Sequence, residues 1–338
     1  MSRPLCVLAG VCAVLAVGAS PALGAFPGDN GRILFDKFRV DGEPDIWTMR
    51  PNGSDQVNLT ADSEAFDGRA SWRPDGRKIV FMSNRETPGN PTPAGSPAPD
   101  FEIFVMNADG SKPTQITSNE LDDEAPAWSP SGMEIVFQRD FDIIPGEVDY
   151  DLFKMRADGT RERNLTRSEG VQEVDADWSP DGGRIAFVSD RDGDDEIYTM
   201  RPNGSRPRQL TFNEAPAGFD GDPNWSPDGR KIAFTSERDL TPETEFQVEI
   251  YTMRADGSRQ TRLTFDDLSD FLPAWSPDGR KIAFTSFRDA THEVDEDNAE
   301  IYTMRADGSH LRRLTDDPVF DAAPDWQPLK GHHGHDGH

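Results

Sequence analysis

The sequence is poor in the features that usually staple an exported chain or give it reactive chemistry. It has two cysteines, Cys6 and Cys12, and none after them. A disulfide framework and thiol catalysis are therefore excluded for the rest of the chain. Basic residues are few, 35 against 62 acidic ones, for a formal net charge of −27. Such a field repels nucleic acid and anionic lipid, and it favours solubility and cation binding. No stretch shows convincing helical periodicity. Histidine is scarce before the C-terminal tail, where only His292 and His310 occur. No G-x-S-x-G elbow is found, so a serine-hydrolase nucleophile of that type is excluded.

What is present begins with "MSRPLCVLAGVCAVLAVGASPALGA". A basic Arg3, an apolar run from Leu5 to Val17, and small residues at Ala22 and Gly24 have the layout of a secretory signal peptide. Cleavage is expected after Gly24, which removes residues 1–24 and both cysteines. The run is shorter than the roughly 20 residues of a membrane span, so no span is expected after cleavage. At the other end, "GHHGHDGH" (331–338) reads as a His-rich flexible tail.

Between these ends a three-word phrase repeats. Trp72, Trp128, Trp178, Trp225 and Trp275 each open a version of "WSPDG", and Trp326 opens a degraded sixth, "WQPLK", at intervals of 47–56 residues. The second word is "DIWTMRPNG", "EIFVMNADG", "DLFKMRADG", "EIYTMRPNG" and, twice, "EIYTMRADG". The third is "VNLT", "TQIT", "RNLT", "RQLT", "TRLT" or "RRLT". "KIAFTS" and "EIYTM" are rich in β-branched and aromatic residues, with apolar residues on both alternating faces, as in strands covered on both sides. The Asp-Gly and Asn-Gly pairs suit tight hairpins because they tolerate positive φ. Each phrase predicts four antiparallel strands: a ("PAWSP"), b ("KIAFTS"), c ("EIYTM") and d ("RRLT"). A four-stranded unit at this period predicts an all-β, six-bladed β-propeller spanning 25–330. The first copy begins at strand b ("GRILF", Gly31 to Phe35), and strand a alone ends the last ("APDWQP", Ala323 to Pro328). The ring should therefore close by pairing the N- and C-terminal strands, which leaves no free sheet edge.

"WSPDGRKIAFTS", "EIYTMRADGS" and "RRLT" resemble the WD-repeat-like propeller repeat of the TolB family. That resemblance implies the propeller fold and, as in TolB, binding of partner proteins of the cell envelope. Cleavage near Gly24 leaves few residues ahead of the first strand, so no counterpart of TolB's N-terminal α/β domain is expected.

Strand order puts the a–b and c–d turns on one face of the ring and the b–c and d–a connections on the other. The first face is nearly constant among the copies. The second holds the length variation, in Asn84 to Asp100, Arg139 to Asp151, Arg238 to Glu249 and Arg288 to Glu300. Variable loops on a rigid scaffold are the usual place for binding. An acid also recurs there five residues before each Trp: Asp67, Asp123, Glu173, Asp220, Asp270 and Asp321. These six are the candidates for ligand or cation binding, with calcium the cation that such oxygens suit. Their other reading is a cross-strand pair with Arg39, Arg85, Arg191, Arg238 and Arg288, or, displaced in the third copy, Arg139. Ser189 to Glu196 ("SDRDGDDE") departs from the calcium-loop pattern and reads as an acidic hairpin. Phe66, Phe219, Phe271 and Phe320 either offer a ligand an apolar surface or plug the gaps between blades.

No catalytic residues and no required cofactor are expected. The function expected is an exported binding module, periplasmic or secreted and monomeric, that engages a protein or other ligand through the variable loops. The alternative is a propeller enzyme, a metal-dependent lyase or hydrolase acting on polysaccharide. His292 and His310 fall on opposite faces and cannot share its metal.

Overall fold

The computed structural model describes residues 25–39, 42–88, 99–141, 149–213, 218–239, 247–288 and 298–330. The expected signal segment and His-rich tail, His292, and most of the connection from Asn84 to Asp100 lie outside them. The described residues form six four-stranded antiparallel sheets, each in the order a-b-c-d, with no helix. Blade 5 shows the pattern: Asp220–Trp225 (a), Lys231–Ser236 (b), Glu249–Arg254 (c) and Thr261–Arg262 (d). Blade 1 takes strand a from the C-terminus, where Asp321–Leu329 pairs with Asp29–Phe38 in the register Ile33↔Trp326. The six-bladed ring thus closes as the word order requires.

The strands form where both of their faces can be buried. Ile232, Ala233 and Phe234 are inaccessible to solvent, one face packing on the blade before and the other on the blade after. Ala186 and Ile197 of blade 4 share a core with Trp225, Ile232, Phe234, Tyr251 and Met253 of blade 5. Each large side chain so covered contributes about 1.5–3 kcal/mol. The outermost strands d are two residues long, too short to invite edge pairing.

The six strands a touch one another in a closed cycle and line the channel. Each has a β-bulge between its second and fifth residues. The third residue, Arg69, Ala125, Asp175, Asp222, Leu272 or Ala323, has a φ of 50–56°. A bulge re-aims the side chain that it displaces. At the end where these strands finish, Ala25 to Gly28 run across the channel. Ala25 N–H donates to the Trp225 carbonyl (3.2 Å), Gly28 N–H donates to the Pro277 carbonyl (3.3 Å), and Phe26 packs with Val80 and Trp128 on the far side.

Candidate binding face and channel

The turn face satisfies itself. In blade 5, Ser226 Oγ accepts Lys231 N–H and donates to Asp228, which accepts Arg230 N–H. In the next turn Asp256 accepts both the N–H and the hydroxyl of Ser258. The Thr ending each third word also has a structural task. Oγ1 of Thr60, Thr117, Thr166, Thr211, Thr264 and Thr315 accepts an N–H from strand c of its own blade. The words of the repeat are spent on the blade.

The six repeated acids open the six inner strands, and all are fully buried. Five meet an arginine: Arg85 to Asp67 (2.6 Å), Arg139 to Asp123 (2.6 and 2.8 Å, bidentate), Arg191 to Glu173 (2.7 Å), Arg238 to Asp220 (2.6 Å) and Arg288 to Asp270 (2.5 Å). The displaced Arg139 therefore still reaches its acid. In blade 1 the cation beside Asp321 is Lys37 (3.8 Å), and Arg39 pairs with Asp45 (3.2 Å). The planar guanidinium suits the space, since Arg238 lies over both Phe234 and Tyr251, 5.1 and 5.0 Å from their centroids. Burial still dominates the electrostatics: it pushes Asp270 and Asp321 up to about 8 and Glu173 up to about 7.

A second carboxylate comes to the same seam from strand c of the preceding blade. Among the described residues one group of three converges, Glu249, Asp266 and Asp270, with oxygens within 4.8 Å of one another. Arg288 reaches Asp266 and Asp270 (2.9 and 2.5 Å), and Arg262 reaches Glu249 (2.5 Å), so guanidinium already supplies the counter-charge. Asp190 in "SDRDGDDE" accepts Gln172 N–H (2.8 Å), and Asp195 bridges to Phe219. His310 is exposed beside a c–d turn.

The channel mouth on the variable face has two unlike halves. Across blades 6, 1 and 2 runs a chain of ring contacts: Phe271–Phe287 (5.6 Å), Phe287–Phe320 (5.8 Å), Phe320–Phe38 (5.1 Å), Phe38–Phe66 (6.5 Å) and Phe66–Phe101 (5.1 Å). All but Phe271 are only half-buried. Three of the four aromatics singled out in the sequence belong to this arc, while Phe219 lies beside Asp195. Blades 3, 4 and 5 present acids. Burial, reinforced by neighbouring carboxylates, pushes Asp122 and Asp195 up to about 6 and Glu124 up to about 7.

Below the mouth are the third residues of the inner strands, which the repeat conceals. Arg69, Asp175 and Asp222 stand there with Glu124, from four blades, and act on one another electrostatically across the channel. The sequence gives them no distinct signal: this position reads Arg, Ala, Asp, Asp, Leu, Ala, and the second and fifth positions of the strand vary as much.

No protein-family model matches the chain. An uncharacterised protein of Agrobacterium fabrum is 32% identical over 149 residues, 43% of this chain and 46% of that protein. A TolB homologue of Chlorobium luteolum is 31% identical over 137 residues, 40% of this chain and 27% of the homologue. The matches thus span less than half the length of these relatives. Among solved structures, TolB of Acinetobacter baumannii superposes with a TM-score of 0.68 at 22% identity, over 90% of this chain and 68% of that one. With six closed blades and these likenesses, the chain is a TolB-like six-bladed β-propeller.

Proposed function

We propose that this protein is an exported, monomeric binding module without a catalytic step of its own, which engages a partner protein with the variable face. The observation that carries this reading is the contrast between the faces. One is a set of near-identical, hydrogen-bonded turns. The other combines an aromatic arc, an acidic arc and unrepeated connections around one opening. Two exposed phenylalanines stand in its d–a connections, Phe212 at 73% and Phe265 at 74% exposure. Exposed aromatics beside unlike charge are what a partner interface uses. The lyase or hydrolase alternative has its best footing at Glu249, Asp266 and Asp270, where arginines take the place a catalytic cation would need. No cofactor is required in this reading. Export to the periplasm or beyond follows from the expected signal and from the TolB likeness.

The test uses peptides selected from a random display library against the folded protein. Replacing Phe212 and Phe265 together by Ser should weaken their binding about tenfold or more. Met133→Ser, at an equally exposed (69%) apolar residue of the turn face, should leave binding unchanged. The opposite pattern rejects the variable face as the interface.

A further inference from the structure

The net charge of −27 is divided unequally between the two faces. Among the described residues, Arg167 and Arg191 are the exposed bases of the variable side. Every other exposed lysine or arginine stands at the turn end of its blade. The densest stretch is the c–d hairpin of blade 4, "RPNGSRPR" (201–208), with exposed Arg201, Arg206 and Arg208 and no acid. Asn203 takes the place of the turn aspartate there and accepts the N–H (3.1 Å) and hydroxyl (2.7 Å) of Ser205. At the same end of blades 4 and 5, Arg184, Arg230, Lys231, Arg254 and Arg259 are exposed, against Asp181, Asp228 and Asp256. Cations therefore outnumber anions on this part of an acidic protein.

Hydrogen bonds join the turns from blade to blade. Arg208 donates to the Asp256 carbonyl (3.1 Å), Arg312 to that of Asn52 (3.0 Å) and Arg73 to that of Gly132 (3.2 Å). The exposed large apolar residues sort the same way, apart from Phe212 and Phe265. Met133 (69% exposed), Leu311 (45%), Val57 (44%) and Leu329 (42%) stand at the turn end. Met133 fills the place in its turn that Arg230 and Arg280 fill in theirs.

The acids of the variable face do not cancel these cations. An inner strand of six residues is about 20 Å long. Exposed charges are screened over about 8 Å in physiological salt. An anionic layer against the turns meets the cations and little of the opposing field, so the repulsion expected from net charge holds for the variable face. Cations interspersed with single apolar side chains suit the interfacial zone of a bilayer, where charges meet phosphates and apolar tips enter among the headgroups. A dissolved polyanion would have no use for Met133.

We infer that the turn face docks on an anionic lipid surface. Arg201, Arg206 and Arg208 meet its phosphate groups and Met133 enters the headgroup layer, which leaves the variable face turned away from the lipid.

The test uses residues 25–338, which hold the whole closed ring. They should co-sediment with vesicles containing phosphatidylglycerol and not with pure phosphatidylcholine, and added salt should weaken the binding. Replacing Arg201, Arg206 and Arg208 together by Gln should weaken vesicle binding about tenfold or more, since each base near an anionic surface contributes separately. Met133→Ser should weaken it too, whereas Arg167→Gln, on the variable side, should leave it as it is. Failure to co-sediment, or undiminished binding by either the folded triple variant or folded Met133→Ser, overturns the inference. So does binding of soluble polyphosphate without binding of vesicles, which would give the face to a dissolved polyanion. Peptide binding by the variable face is read separately, and its failure leaves this inference standing.

Discussion

The two faces of the ring use the same residue type in opposite ways. On the turn face Asp109, Asp158, Asp256 and Asp307 are exposed, and hydrogen bonds from the Ser or Thr two residues on hold their carboxyls below the usual range. Around the channel and the variable face, burial pushes Asp36, Glu124 and Glu173 up to about 7 and Asp325 up to about 8. A turn aspartate stabilises its hairpin as an anion. A channel carboxyl is easiest to bury with its proton on. A repeat therefore fixes the position of an acid without fixing what the acid does.

The largest effect should come from breaking a buried pair. Arg139→Ala strips the bidentate partner from fully buried Asp123 and should cost about 3–5 kcal/mol in chemical denaturation. The double change Asp123→Leu with Arg139→Met should recover most of that loss. If it does not, the pair has a role beyond neutralising its own acid.

Next in size is the pH dependence. The raised carboxyls bind more protons folded than unfolded between their ordinary values near 4 and their folded values of about 6–8. Stability is therefore greatest below that window and falls as pH rises through it, by up to about 1.4 kcal/mol per group for each pH unit. Thermal unfolding at pH 5 should exceed that at pH 8, the reverse of ordinary acid denaturation. Glu124→Gln should flatten the slope, whereas Asp256→Asn should leave it as it is. A midpoint that rises with pH would show that the arginine pairs outweigh the desolvated acids.

A smaller loss, about 1 kcal/mol, is expected for Ser226→Ala, which removes one turn's internal hydrogen bonds while five other blades hold the ring. Smallest of all is the response to calcium. With Arg288 and Arg262 in place, millimolar calcium should shift the midpoint by less than about a degree. With Arg288→Gln the Glu249, Asp266 and Asp270 group should become calcium-stabilised. A clear shift in wild type would move the cation to another seam.

Most of the fold was legible in the sequence because propeller blades are built locally. Strand words, turn pairs and their order suffice to name four strands, and the incomplete copies at each end imply closure. The pairing of Asp67 with Arg85 was legible too, although the bulge sets Asp67 opposite Ser83 and the guanidinium reaches back from two residues further along. Less readable were the substitution of Lys37 for arginine beside Asp321 and the aromatic arc through Phe38, Phe101 and Phe287. Neither occupies a repeated position with a repeated residue type.

The sequence by itself determined the brick and the number of bricks, because hydrogen bonds within blades 2 to 6 join residues near one another in the chain, and the incomplete copies at the two ends complete blade 1. Only the tertiary structure decided what faces what across the channel. Arg69, Glu124, Asp175 and Asp222 are separated by up to three blades along the chain. They share one space because six bulged inner strands converge on one axis, and closing the ring makes that space.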